Sequence, residues 1–328
     1  MNPDNWKDRH KQFGAALDAD QVEAQAMLAG AANIDVGIED VRMAGVVDDG
    51  LIEKGNSWEE RQVVLEGLSG AIAEELQRRS VMMKDAYPFK IRKEGGLSYR
   101  RSHTGVYEFC LAVAINPAGE VAGATKASVI FELIARDVLA SYLGDGARGF
   151  RAGAPSCAFE NRGNSARETF LALQAQCGEF RWCPEADFPD EPTPKHLRDA
   201  GLDIVVWKPW QDGRLAQFFA IGQCACGKND VNAEKGRELS LRRLEIWLRP
   251  ICHAAPIRCF FVALHIPNTL HLYEISKDAG VVFDRARIAL VAESSPARVK
   301  SREGIDYHEM AKVYADPRVV QPVLAQPQ

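Results

Sequence analysis

The sequence has no apolar run approaching the ~20 residues that a helix needs to cross a bilayer. Its first twenty residues, MNPDNWKDRHKQFGAALDAD, are polar and hold no signal-peptide core. Both absences set the expectation of a cytoplasmic protein with no membrane contact. Excess positive charge is also lacking: the formal net charge is −5 and the isoelectric point about 5.9. No global field therefore draws in a polyanion, and contact with nucleic acid must rest on a local basic patch. The eight cysteines include no CxxC pair. Cys224 and Cys226 form CxC and Cys252 precedes His253, spacings that match no common zinc ribbon or finger, so small buried thiols are expected. No GxGxxG follows a strand and no GxxxxGK[ST] occurs, which leaves nucleotide binding without sequence support. Ser-His-Asp and Cys-His chemistry have no local signature either, and there is no internal repeat.

What is present is an ordinary globular composition, 46% hydrophobic and 26% charged over 328 residues, long enough for two domains or one elaborated domain. Short Ala-rich stretches before residue 56 read as helical. Ser57, with Glu60 three residues on, forms a capping box for a helix through WEERQVVLEGLSGAIAEELQRRSVMM, in which Val63, Leu65, Leu68, Ile72 and Leu76 make an apolar stripe. VYEFCLAVAIN is apolar throughout, and periodicity does not choose between strand and buried helix. The Gly/Pro-rich stretch from Asn116 to Ala124 is the expected boundary between a mainly helical region, 1–120, and a second domain, 121–328.

In that second domain KASVIFELIARDVLASYLG reads as a helix with Ile130, Phe131, Ile134, Val138 and Leu139 inward and Gly144 as its stop. GFRAGAP reads as a short strand and SARETFLALQAQCG as a helix. A polar, Pro-rich insertion (184–194) comes next, then two apolar strands, DIVVW and LAQFFAIG, joined by KPWQDGR with Asp212-Gly213 at the turn. ELSLRRLEIWLRPI reads as a helix, RCFFVALHI as a buried strand, and VVFDRARIALVAE mixes both signals. The order predicts an α/β (α+β) domain with a central mixed sheet flanked by helices.

The hairpin carries the chemistry. Asp203 stands at the mouth of the first strand, where an ionised carboxylate beside an apolar core is costly unless paired or bound to a cation. Gln223, on the neighbouring strand, offers an amide oxygen of the kind hard cations accept. Lys228 follows a short Gly-containing bend, where an amine can stabilise a developing oxyanion. GLDIVVW and IGQCACGK, with the helix, strands, helix, strand order around them, resemble the PD-(D/E)xK nuclease superfamily, over Lys126 to Leu264. The resemblance implies a restriction-endonuclease-like core. It also implies a Mg2+-dependent (or Mn2+-dependent) deoxyribonuclease with Asp203, Gln223 and a helix Glu, Glu132 in VIFELIARD, as metal ligands and Lys228 as the catalytic cation. The lysine departs from the family spacing: it stands five residues after Gln223, and the usual position is Ala225. Gln in place of the second acid removes a negative charge from the metal site.

Plainer readings of the same residues are available. Asp203 could pair with Arg198 or Lys208, Gln223 could satisfy backbone groups, Glu132 could pair with Arg136 at i+4, and Lys228 could be a solvated turn residue. The functional expectation is DNA phosphodiester hydrolysis in bacterial restriction or anti-phage defence, with a non-catalytic nuclease-fold scaffold subunit as the alternative. DNA is the expected partner, a protein partner is expected through the N-terminal region, and self-association stays open. Candidate phosphate contacts are Arg78-Arg79, KIRK at 90–93, Arg100-Arg101 and Arg242-Arg243, with KIRK and its neighbouring Arg pair the favoured set.

Overall fold

The computed structural model describes residues 3–34, 58–116, 119–121, 124–153, 166–182, 201–226, 239–250, 255–299, 303–316 and 321–322. The expected Ser57 cap, Gly227 and Lys228 lie outside these residues.

The N-terminal region is mainly helical. Instead of several short Ala-rich helices it opens with one long helix, α1 (Pro3–Ala29), followed by β1 (Ala31–Asn33) and then α2 (Trp58–Met83) over the residues that the capping box and stripe predict. β2 (Phe89–Ile91) and β3 (Gly96–Tyr99) complete a small antiparallel sheet in the order β1-β3-β2. The ambiguous VYEFCLAVAI segment is a helix, α3 (Val106–Ile115), buried from Val106 to Val113. Burial on all sides removes the polar face that would have given it a helical period. At the expected boundary a two-residue strand, β4 (Gly119–Glu120), pairs with Gln321–Pro322 near the C-terminus. The core crosses this boundary: Ile72, Leu76 and Phe109 share one apolar cluster with Ile130, Ile134 and Phe261.

The rest of the chain is built on a mixed five-stranded sheet. Helix α4 (Ala127–Leu143) ends at Gly144, whose φ of 85° suits a residue without a Cβ. β5 (Arg148–Arg151) follows, then α5 (Ala166–Cys177) and β6 (Phe180–Trp182). The hairpin forms as β7 (Ile204–Lys208) and β8 (Phe218–Ala225). The predicted helix after it is shorter than the sequence suggests: α6 (Leu241–Trp247) gives way to β9 (Leu248–Pro250), which pairs with β6. Next come β10 (Ile257–Val262), α7 (Thr269–Ala279) and β11 (Val281–Phe283). The mixed signal of VVFDRARIALVAE resolves at Asp284, whose side chain caps α8 (Arg285–Ser294) by accepting from the Arg287 N–H. Helices α9 (Pro296–Val299) and α10 (Tyr307–Ala315) close the fold.

Sheet order is β11-β10-β8-β7-β5. β5–β7 and β7–β8 are antiparallel, while β8–β10 and β10–β11 are parallel. Side-chain alternation gives the sheet two covered faces. Ile204, Val206, Ala220 and Phe261 pack with α4 residues on one. On the other, Val205, Trp207, Phe219 and Ile221 meet Phe170 and Leu173 of α5 and Leu244 of α6.

The N-terminal helices are tied to α8 by charge as well as by apolar packing. Arg79 is fully buried and donates to Asp20, Glu23 and Glu75 at 2.7–2.8 Å and to the Ala16 carbonyl. Buried Arg285 pairs with the same Asp20, and Tyr87 and Tyr107 donate to Glu23. This overturns Arg79 as a phosphate contact; its partner in that dipeptide, Arg78, is committed to Glu75. His265 sits at the edge of the network, with Nδ1 3.2 Å from Asp284 and Nε2 2.7 Å from Arg78.

These groups predict acid sensitivity. Burial pushes the His265 pKa below its ordinary 6.5, so the folded state resists the proton that the unfolded chain accepts. Burial alone would raise the carboxyls of Asp20, Glu75 and Asp284. Arg285 and Arg79 outweigh it for Asp20, Arg78 and Arg79 for Glu75, and His265 for Asp284, so all three lie below the usual carboxylate range. Each depressed group contributes stability above its unfolded pKa and loses it as pH falls through the folded value. Denaturant melts should therefore show stability falling in two stages, below about pH 6.5 from His265 and below about pH 4.3 from the carboxylates. In His265→Gln the first stage should shrink to the share of His271, whose pKa burial also lowers.

Candidate functional site

Asp203 lies immediately before β7, and its backbone leaves the ladder there. Its N–H donates to the Gly222 carbonyl at 3.0 Å, while its own carbonyl accepts from Ala152 and Gly153, just past β5. The carboxylate folds onto the end of β8: Oδ2 accepts from the Cys224 N–H at 2.6 Å, at the Gln223–Cys224 peptide. Asp203 thus knits the ends of three strands.

Glu132, on α4, reaches the same place from one face of the sheet. Its Oε2 lies 2.7 Å from Nε of Arg151, the last residue of β5, with side-chain exposures of 12% and 2%. The sequence reading missed Arg151, although a charged residue ending a strand next to the acid-bearing one is a signal. The expected i+4 partner of Glu132, Arg136, is instead paired with Asp137 and Glu303. Lys208, a suggested partner for Asp203, donates to the Leu143 carbonyl.

Gly153 lets the Glu132 carboxylate approach the backbone that Asp203 holds. Its N–H meets the Asp203 carbonyl, and a Cβ on it would run into the Glu132 carboxylate. Gly153→Ala should cost about 1–3 kcal/mol by crowding this contact. On a Glu132→Ala background the same change should cost almost nothing, a non-additivity that a double-mutant cycle of unfolding free energies measures.

Gln223 is 4% exposed and, by alternation along β8, leaves on the opposite face, with Ile221 and beside Phe260 of β10. Cys224 points to the Glu132 side. Burial, with the Asp203 and Glu132 carboxylates next in size, pushes its thiol pKa well up, so it stays protonated at neutral pH and is a poor nucleophile. None of the five described cysteines forms a disulfide.

The structure therefore brings Glu132 and Asp203 together at the end of the hairpin, adds Arg151 and Cys224 to them, and sets Gln223 beside them on the other face; Lys228 lies beyond the described residues. Among the described residues no group of three or more His, Cys, Asp or Glu is arranged to hold a metal ion. The donors of the proposed set are two carboxylates and one amide oxygen, which suit a hard divalent cation in type. Comparison with protein-family models, with curated proteins and with solved structures finds no match.

Proposed function

We propose that the protein is a metal-dependent endonuclease of the PD-(D/E)xK type that hydrolyses DNA phosphodiester bonds, with bacterial restriction or anti-phage defence as its setting. The observation that carries the reading is the meeting of Asp203 and Glu132 at the open end of an apolar hairpin, beside Gln223. The order of α4, β5, β7, β8, α6 and β10 around that point supports it. Two acids are costly so close to a core unless cations compensate them, and Arg151 compensates one.

Asp203 and Glu132 would hold Mg2+ or Mn2+ through their carboxylate oxygens, and Gln223, which leaves β8 on the face away from Glu132, is left out of that pair. When bound, such an ion would supply Lewis-acid activation of the phosphodiester and of the attacking water. The chain's own part is to fix those oxygens at the mouth of β7 and on α4 and to supply a cation, Lys228, for the charge that builds on the phosphate. The N-terminal region would control access or bind a partner.

A specific observation also favours the non-catalytic scaffold: Glu132 is already paired with Arg151. Cleavage separates the two readings. Purified protein should nick or linearise plasmid DNA with Mn2+ or Mg2+ and not with EDTA, and Asp203→Ala, its circular dichroism unchanged, should lose at least ~10²-fold in rate. Absence of any metal-dependent cleavage by wild type, or full activity in Asp203→Ala, would sink the endonuclease.

A further inference from the structure

Of the basic residues that the sequence offers as phosphate contacts, Arg242 belongs to a feature that the hairpin site does not use. Arg242, at the start of α6, lines an open groove of about 430 Å3 together with Lys277 near the end of α7 and Arg258 of β10. Ser240, Leu241 and Asp278 complete the lining. The groove's formal charge is +2 on a chain whose net charge is −5. Arg242 and Lys277 are exposed and Arg258 is half-buried, so the side chains present their charge to solvent. No ion pair joins any of the three to a carboxylate among the described residues. Lys277 also stands 4.5 Å over the ring of Tyr273, which is 58% exposed. A groove lined by three cations suits an extended anion better than a compact apolar ligand.

Its position relates it to the hairpin. β8 and β10 are parallel and Arg258 is in register with Ile221. Arg258 therefore shares a sheet face with Ile221 and Gln223, and Gln223 is two residues further along the neighbouring strand. Two strand steps of about 3.3 Å and one strand spacing of about 4.8 Å put their Cα atoms roughly 8 Å apart. Each DNA strand presents a phosphate every ~3.4 Å of helix axis, so the groove lies within a few nucleotides of the proposed cleavage point.

We propose that Arg242, Arg258 and Lys277 form a phosphate-binding groove that seats the DNA backbone next to the candidate site. The idea rests on the endonuclease reading for its choice of DNA, and its test needs no cleavage. Binding of a fluorescent 20-base-pair duplex is followed by anisotropy in EDTA across 50–200 mM salt, for wild type, for Arg242→Gln/Lys277→Gln, which alters exposed residues only, and for the triple variant with Arg258→Gln. Each lost phosphate contact lowers the slope of log K against log salt by about 0.9. The double variant should lose nearly 2 units of slope and the triple nearly 3, with affinity down at least ~10-fold at 0.1 M salt. Unchanged slope and affinity in the double variant, or no duplex binding by wild type, overturns the groove. Competition by inorganic phosphate as effective as DNA at equal phosphate concentration would reduce it to a small-anion site and overturn it too. A protein that binds DNA through these residues and never cleaves it sinks the endonuclease alone. Cleavage by a triple variant of wild-type affinity and slope sinks the groove alone.

Discussion

Replacing Arg79 by Met should destabilise the protein by about 3–5 kcal/mol, the usual cost of removing one partner from a buried ionic cluster. The guanidinium is fully buried and takes three carboxylates and a backbone carbonyl. Those carboxylates hold its pKa well up in spite of burial, so it does not escape by losing its proton. Met fills much of the volume but leaves Asp20, Glu23 and Glu75 with less positive charge in a site water does not enter. Arg285 remains beside Asp20 and Arg78 beside Glu75, so Glu23 should bear most of the penalty. Because α1 and α2 share a core with the sheet, the loss should appear as a lowered midpoint of one unfolding transition, read by far-ultraviolet circular dichroism and by tryptophan fluorescence together. A midpoint within about 1 kcal/mol of wild type would show that the cluster contributes no net stability. Two separated transitions would show that the N-terminal region unfolds on its own.

Lys228→Ala should lower metal-dependent DNA cleavage by about 10²–10³-fold, the range for removing one positioned group that stabilises transition-state charge. Lys228→Arg should recover little, because a planar guanidinium is not a compact point charge. The residue follows the end of β8 by three positions, and Gly227 between them admits a backbone bend at little steric cost. Its fold and Mn2+ affinity should match wild type. The competing cation is Arg151, buried against Glu132 at 2.7 Å. If Lys228→Ala cleaves at the wild-type rate while Arg151→Lys does not, the charge at the phosphate comes from β5.

Much of the sheet was legible because its signals are local. The hairpin announces itself by two apolar runs around Asp212-Gly213, and α2 and α4 by apolar stripes with a stop. Asp203 at a strand mouth is visible for the same reason. Long-range partners were not. Glu132 has an arginine at i+4, the spacing that helix rules favour, yet it pairs with Arg151, which only the packing of α4 on β5 brings near. Arg79 reads as half of a surface basic pair, and only the docking of α1 on α2 supplies Asp20 and Glu23. α3 hid because a wholly buried helix has no polar face. Helices α7 and α10, amphipathic but short, follow strand-like or loop-like stretches and had no reading in the sequence.

The proposed activity depends above all on whether the end of the 203–223 hairpin takes a divalent cation. Crystals of the full chain soaked in Mn2+ and measured at a wavelength where manganese scatters anomalously test this directly. The predicted result is one anomalous peak bonded to the Asp203 and Glu132 carboxylates, and no such peak in Asp203→Ala crystals. Full occupancy elsewhere, with the Asp203 carboxylate still resting on the Cys224 N–H and no manganese beside it, would contradict the account.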